Sequence, residues 1–377
     1  MNKGIKQETI EGLKVKFDDK SINEILSNIK NSLQSGRLYQ DKLVKKFEEE
    51  FANYHNVKFG IAVNSGLSAI EIPLQILNIH GKEVIIPTNT FIATALGIIR
   101  AGGIVKLADT APNKLTPGLK EIQDQFTART CGVIIVHIGG YIPDDIEEIR
   151  SWCKSKGIFL YEDAAHAHGS SLNKKHAGEF GIAAGFSLFA TKVITSGEGG
   201  IILTNNSEIN QRARQIRNYG KSSDWGSENT EIGGNFRMSE ITAAIALQQT
   251  KNLSTIINKR KRIAELYKKL IKSEGLDVTL LCNDQVNNYY KLIIILPKQI
   301  ESDTIRNQFS KHGISLPGSV YQTPLHKQPI AKKLNLIGKY PNSEYICKHH
   351  ISLPIYPSLK DSSIYKVVEC LKNILIE

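Results

Sequence analysis

From about residue 55 to 205 the chain alternates between short β-branched runs and stretches whose apolar residues recur at helical spacing. The strand-like runs are Phe59–Val63, Glu83–Ile86, Gly103–Leu107, Gly132–His137, Ile158–Tyr161, Ala184–Leu188 and Gly200–Leu203. Helices are predicted over Ser68–Ile79, Phe91–Arg100, Leu119–Phe126 and Asp144–Lys156. Repeated strand-helix-strand units predict an α/β domain whose mostly parallel sheet carries helices on both faces. In such sheets ligands bind beyond the carboxyl ends of the strands, so the residues that follow each strand carry the functional signal.

After Arg237 the pattern changes. A long helix is expected over Ser239–Ile271, then separated strands near Asp277–Leu281 and Tyr290–Leu296. Connections at Pro317, Pro324, Pro329 and Pro354 and a final amphipathic helix over Ser362–Ile376 complete the chain. This reads as a large domain over residues 1–245 and a smaller C-terminal α+β domain over 246–377. No fixed-period repeat or low-complexity tract interrupts it.

At 377 residues, 41% hydrophobic and 23% charged, the composition excludes a disordered chain, a coiled coil, a collagen and a small disulfide scaffold. The 48 Lys+Arg against 37 Asp+Glu give a net charge of +11, which suits nucleic acid, a membrane surface or a small anionic ligand. The densest basic run, Lys259-Arg260-Lys261-Arg262 with Lys268 and Lys269, lies on the long helix and has Tyr267 as its one aromatic neighbour. That is a solvated helix face, so no nucleic-acid role is expected. The polar start lacks the apolar core of a secretion signal, and Asn89 and Arg100 interrupt the apolar stretch Val84–Ala108 short of a membrane span. Cys131, Cys153, Cys282, Cys347 and Cys370 form no C-x-x-C pair, so free thiols in a reducing cytoplasm are expected, and no metal site.

Three strand ends carry chemistry. Ile158-Phe159-Leu160-Tyr161-Glu162-Asp163-Ala164-Ala165-His166-Ala167-His168-Gly169 is an apolar strand that ends in carboxylates and histidines. Alone, Asp163 and His166 equally fit capping and surface positions. In Gly185-Phe186-Ser187-Leu188-Phe189-Ala190-Thr191-Lys192-Val193-Ile194-Thr195-Ser196-Gly197-Glu198-Gly199-Gly200, one lysine stands in an apolar, hydroxyl-rich surround. Such a lysine is either a loop-tip residue or a desolvated amine suited to Schiff-base formation. Upstream, Asn64-Ser65-Gly66-Leu67-Ser68 joins a strand to a helix, which fits an ordinary N-cap as well as a phosphate site built on free backbone N–H groups. Together the three offer a phosphate cradle, a carboxylate and a lone lysine, which is the equipment for pyridoxal 5′-phosphate.

The order and spacing of these strings resemble the DegT/DnrJ/EryC1/StrS aminotransferases of fold type I. The resemblance runs from Ser35-Gly36 and Phe47-Glu48-Glu49-Glu50-Phe51-Ala52 through Asn64-Ser65-Gly66, Pro87 to Thr94, Val136-His137, Glu162 to Gly169 and Phe186 to Gly200. It continues through Gly233-Gly234-Asn235-Phe236-Arg237-Met238, Pro324-Leu325-His326 and Ser352-Leu353-Pro354. It implies a seven-stranded, mostly parallel sheet in the large domain. It also implies that Lys192 carries the cofactor and shuttles the proton, that Asp163 pairs with the pyridine nitrogen, and that His166 sits near the phenolic oxygen. Ser187, the backbone of Gly66 and Leu67 and the Ser68 hydroxyl would hold the phosphate, and Phe91 would stack on the ring. Asn235 would cross a homodimer interface to the neighbour's cofactor, and Arg237 and His326 would border the substrate. Tyr161, Glu162 and His168 are read as structural.

Three departures stand out. Leu67 replaces the usual Thr; Tyr39-Gln40-Asp41 stands where relatives often have Gly; and His137-Ile138-Gly139-Gly140-Tyr141 replaces the usual His-Leu-Tyr-Gly. The implied reaction moves an amino group from L-glutamate to a nucleotide-linked 3-keto or 4-keto sugar, for surface polysaccharide or antibiotic sugars. Relatives that act on cyclitol ketones share most motifs, whereas dehydratase relatives have His in place of the lysine, which Lys192 argues against.

Overall fold

The computed structural model describes residues 9–223, 226–281 and 287–376; Cys282 lies outside the described residues. Its seven-stranded sheet comprises β1 (Phe59–Val63), β2 (Glu83–Pro87), β3 (Ile104–Ala108), β4 (Thr130–Val136), β5 (Phe159–Asp163), β8 (Ala183–Ser187) and β9 (Gly200–Thr204), with β6 (Ser171–Leu172) and β7 (Lys175–His176) forming a small hairpin. The order is β1-β9-β8-β5-β4-β2-β3. Only β9 runs against the rest, pairing antiparallel with both β1 and β8. The carboxyl ends of β1, β4, β5 and β8 therefore open on one edge, where Gly200 at the start of β9 pairs with both Val63 and Ser187.

Both faces of this sheet are apolar, as a parallel sheet covered by helices requires. Alternation along each strand divides them: Ile85, Val133, Ile135, Ile201 and Leu203 join one core, and Val84, Ile86, Ile134 and Ile202 the other. Each fully buried Ile or Leu contributes roughly 1.5–3 kcal/mol. The strand ends predicted from the sequence match within a residue or two.

The C-terminal region is a second layered unit. β10 (Thr279–Leu281), β11 (Leu292–Ile295) and β12 (His350–Leu353) form an antiparallel sheet that shares a core with Ile263, Tyr267, Phe309, Val367 and Leu371 of three helices. The expected 33-residue helix is two, Glu240–Lys251 and Leu253–Ser273, interrupted at Asn252. There the Asn252 N–H closes the first helix on Gln248 and Gln249 while its amide donates to Ser21 Oγ at 2.9 Å. The 245/246 boundary falls inside the first of these helices, whose Ala246 and Leu247 pack in the large core together with Leu253 and Ile257. From Ile263 onward the second helix packs with the small sheet. A separate apolar cluster joins Leu115, Val136 and Ile138 to Ile293, Ile295, Val320 and Cys347, and so holds the small unit against the carboxyl edge of the large sheet.

Candidate active site

A cavity of about 710 Å³ lies at that edge, and its wall includes Gly66, Leu67, Phe91, Asp163, His166, Ser187 and Lys192. Seven residues expected at the site from the sequence thus share one space. The opposite wall comes from the small unit: Tyr290, Lys291 and the loop Pro317 to Tyr321.

Asp163 ends β5 and is buried. Thr94 Oγ1 donates to its Oδ2 at 2.7 Å and the Ala165 N–H to its Oδ1 at 3.2 Å. Burial pushes its pKa up, and these two donors offset part of that. Its neighbour Glu162 faces the other way: it meets His137 Nε2 at 2.9 Å and accepts from the N–H groups of Gly178, Phe180 and Gly181. Fully bonded inside the fold, Glu162 has the structural place expected of it.

Lys192 sits in the turn after β8, half-buried, with Nζ 5.1 Å from the centre of the Tyr290 ring. Burial lowers its pKa to about 8, against the opposing pull of Asp163. His166 Nδ1 accepts from the Gly139 N–H at 3.2 Å, which leaves the proton on Nε2, facing the Tyr321 hydroxyl at 3.4 Å. Burial first, then the positive charge of Lys192, holds this imidazole well below its ordinary pKa. It is a neutral donor, with the Tyr290 ring 4.5 Å away.

The third element is the helix Gly66–Ile76. Ser65 caps it by accepting from the Ser68 N–H at 3.1 Å, while the first N–H groups, of Gly66 and Leu67, have no acceptor among the described residues. A Cβ on Gly66 would stand 2.8 Å from Ser187 Cβ, so only glycine lets the helix start this close to the end of β8. The Ser68 hydroxyl donates to Asn64 Oδ1 at 2.7 Å and is not part of the cavity wall. Its one proton is committed, so the free donors of this cradle are backbone N–H groups and Ser187.

This donor set fits pyridoxal phosphate: unpaired N–H groups at a helix N-terminus for the phosphate, a buried carboxylate for the pyridine nitrogen and, for the carbonyl, an amine whose pKa burial lowers. Phe91 caps the helix Ile92–Arg100 and, although a large apolar ring, is 56% exposed at the cavity wall, where a stacked ring would cover it.

Besides Ser68, three expected residues lie outside the cavity. Asn235 is exposed and its carbonyl accepts from Asn64 Nδ2 at 3.2 Å. Arg237 donates to Asn218 Oδ1 at 2.8 Å, with its guanidinium 5.3 Å from the Tyr39 ring and 5.1 Å from that of Tyr219. His326 is held by Thr88 Oγ1 at 2.7 Å and Glu344 Oε1 at 3.0 Å, so both ring nitrogens are engaged away from the wall. Conversely, Thr94, Tyr290, Lys291 and Tyr321 were not singled out from the sequence. Nothing local to residues 87–94 marks Thr94 as a partner of Asp163; the other three carry no local signal, because only the docking of the small unit brings them to the edge.

The DegT/DnrJ/EryC1/StrS aminotransferase family matches residues 19–372. The chain is 30% identical to the GDP-perosamine synthase of Vibrio cholerae over 335 residues, 88% of this chain and 90% of that one. It is 31% identical to the dTDP-4-dehydro-2,3,6-trideoxy-D-glucose 4-aminotransferase of Saccharopolyspora spinosa over 343 residues, 86% and 87% of the two chains. The fold superposes on Helicobacter pylori PseC, an aminotransferase involved in the biosynthesis of pseudoaminic acid, with a TM-score of 0.89 at 24% identity, covering 98% of this chain and all of that one. With a site of this chemistry at the carboxyl edge of its sheet and a match over nearly its whole length, the chain belongs to the DegT/DnrJ/EryC1/StrS aminotransferase family.

Proposed function

We propose that this aminotransferase moves the amino group of L-glutamate to a nucleotide-linked keto sugar, a 3-keto or 4-keto deoxyhexose. The observation that carries the reading is the meeting of Lys192, Asp163, Ser187 and the Gly66 helix N-terminus around one cavity. The substrate class is supported by the relatives, which are named for GDP-linked and dTDP-linked sugars.

Bound here, pyridoxal phosphate supplies a carbonyl that takes up amines and a pyridinium that withdraws electrons from the adjacent carbon. The chain's own residues do the rest. Lys192, whose pKa burial lowers to about 8, would carry the cofactor and can give up and take back a proton near neutral pH, which suits it to move the proton released at the donor Cα. Asp163, steadied by Thr94, would keep the ring nitrogen protonated. His166 would present Nε2–H to the phenolic oxygen, and the Gly66 and Leu67 N–H groups with Ser187 would hold the phosphate. Asn235 and Arg237, which lie outside their own cavity, are read as contributions to the site of a second copy. The four described cysteines are free and no described helix is long and apolar enough to cross a membrane, which supports work in the cytoplasm.

The test begins with the purified protein. A yellow band should appear with pyridoxal phosphate, borohydride should fix it on Lys192, and L-glutamate should bleach it. Nucleotide-linked 3-keto and 4-keto sugars should then restore the colour while cyclitol ketones do not. Restoration by cyclitol ketones alone would overturn the substrate class, and a protein that takes up no cofactor would overturn the whole reading.

A further inference from the structure

The cavity wall holds a second lysine that the chemistry above does not use. Lys291 follows Tyr290 just before β11, and its Nζ lies 5.2 Å from the centre of the ring that Lys192 approaches to 5.1 Å. Two ammonium groups therefore approach one tyrosine. Lys192 has a counter-charge in Asp163, but no carboxylate of a described residue lies within ion-pair distance of Lys291.

Its position is built, not incidental. The Lys291 N–H donates to the Gly139 carbonyl at 3.2 Å, and the Gly139 N–H orients His166. Gly139 has φ +66, and a Cβ there would stand 2.7 Å from Ile293 Cδ1 and 3.6 Å from Lys291 Cβ. The Gly139-Gly140 pair, one of the three departures in the sequence, thus keeps open the ground beside the lysine. The charges on the wall leave a gap as well. Asp163 is committed to the ring nitrogen, His166 is neutral and Lys192 is committed to the cofactor, so Lys291 is the cation left among the described wall residues. Burial and the positive charges of Lys192, Arg260 and Arg306 lower its pKa to about 8, the mark of a cation without its anion.

We infer that Lys291 binds a substrate oxyanion in this site, either a carboxylate of the amino donor or the diphosphate of the keto-sugar nucleotide. This rests on the aminotransferase reading, and both substrates of that reaction are anions. A charged hydrogen bond of this kind supports an effect on the order of 10- to 100-fold in affinity.

The holoenzyme of Lys291→Gln and Lys291→Arg should keep the yellow band of the parent protein. L-glutamate is titrated against that band, and dTDP and GDP are titrated by calorimetry into enzyme loaded with pyridoxamine phosphate. Lys291→Gln should weaken glutamate or the nucleotides by on the order of 10- to 100-fold, and Lys291→Arg should recover most of the loss. A loss with glutamate assigns the carboxylate; a loss with dTDP or GDP assigns the diphosphate. Unchanged affinity for all three overturns the inference while the aminotransferase reading stands. Amine-selective labelling of the unmodified holoenzyme, mapped by mass spectrometry, needs no variant: glutamate or a nucleotide should shield Lys291, and labelling indifferent to both would count against it. A parent protein without a yellow band sinks the earlier reading instead.

Discussion

Thr94 shows how much of the site rests on a single hydroxyl. It donates at 2.7 Å to the buried carboxylate proposed for the ring nitrogen, and Thr90 Oγ1 in turn lies 2.8 Å from it. Thr94→Val keeps the shape and removes the donor, at a cost of about 1.5–3 kcal/mol for a hydrogen bond to a charged group. Pyridoxal phosphate should bind roughly 10-fold or more weakly, as read by titration of the yellow band; an unchanged dissociation constant would remove Thr94 from the site. Lys192 gives the pH dependence. Only its neutral form could carry the cofactor, and burial brings its pKa down to about 8 from an ordinary value near 10.5. The rate at which apoprotein takes up pyridoxal phosphate should therefore rise with pH and level off just above 8. A rate still climbing at pH 10 would mean that the amine is not desolvated.

At the scale of elements, the helix Lys42–Tyr54 is tied to the sheet through Glu48. This buried carboxylate meets Arg217 and Arg214 and accepts from the Ala62 N–H of β1 at 2.9 Å. Burial works against its charge, but the two arginines and the N–H outweigh it, and its pKa falls below the ordinary value. Glu48→Gln leaves Arg217 buried without its charge partner and should cost about 3–5 kcal/mol in urea unfolding. Because the folded pKa is depressed, this stabilisation is present above the unfolded value of about 4.3 and is lost as pH falls through the folded one. The gap between parent and variant should thus close only in acid. A gap that persists unchanged to the lowest pH at which the parent is folded would show that the charge is not what stabilises β1.

At the scale of the molecule, the proposed sharing of sites between two copies has a direct readout. Lys192→Ala should disable a protomer's own site; Arg237→Ala should disable its neighbour's. Each variant alone should be inactive, but a mixed population should contain heterodimers with one intact site, about a quarter of parental activity at equal mixing. No recovery after verified subunit exchange would place Arg237 on its own protomer's chemistry or on none. The Tyr39 and Tyr219 rings that flank Arg237 come from distant segments and are brought to it only by the fold.

The local sequence determined the strands, their order of chemistry and the residues at their ends. Short apolar runs lead into Asp163, Ser187 and Asn64-Ser65-Gly66, so these residues could be placed at strand ends from the sequence. Helix breaks were harder to see: the interruption at Asn252 depends on a bond to Ser21, more than two hundred residues away. The far wall of the cavity was decided by tertiary structure alone. Tyr290, Lys291 and Tyr321 belong to a unit whose own strands and helices say nothing about the edge it covers. They reach Lys192 because an apolar seam between Val136, Ile138, Ile293 and Val320 docks that unit there. Docking also withdrew His326, whose motif suggested a substrate contact, by giving both of its nitrogens partners inside the fold.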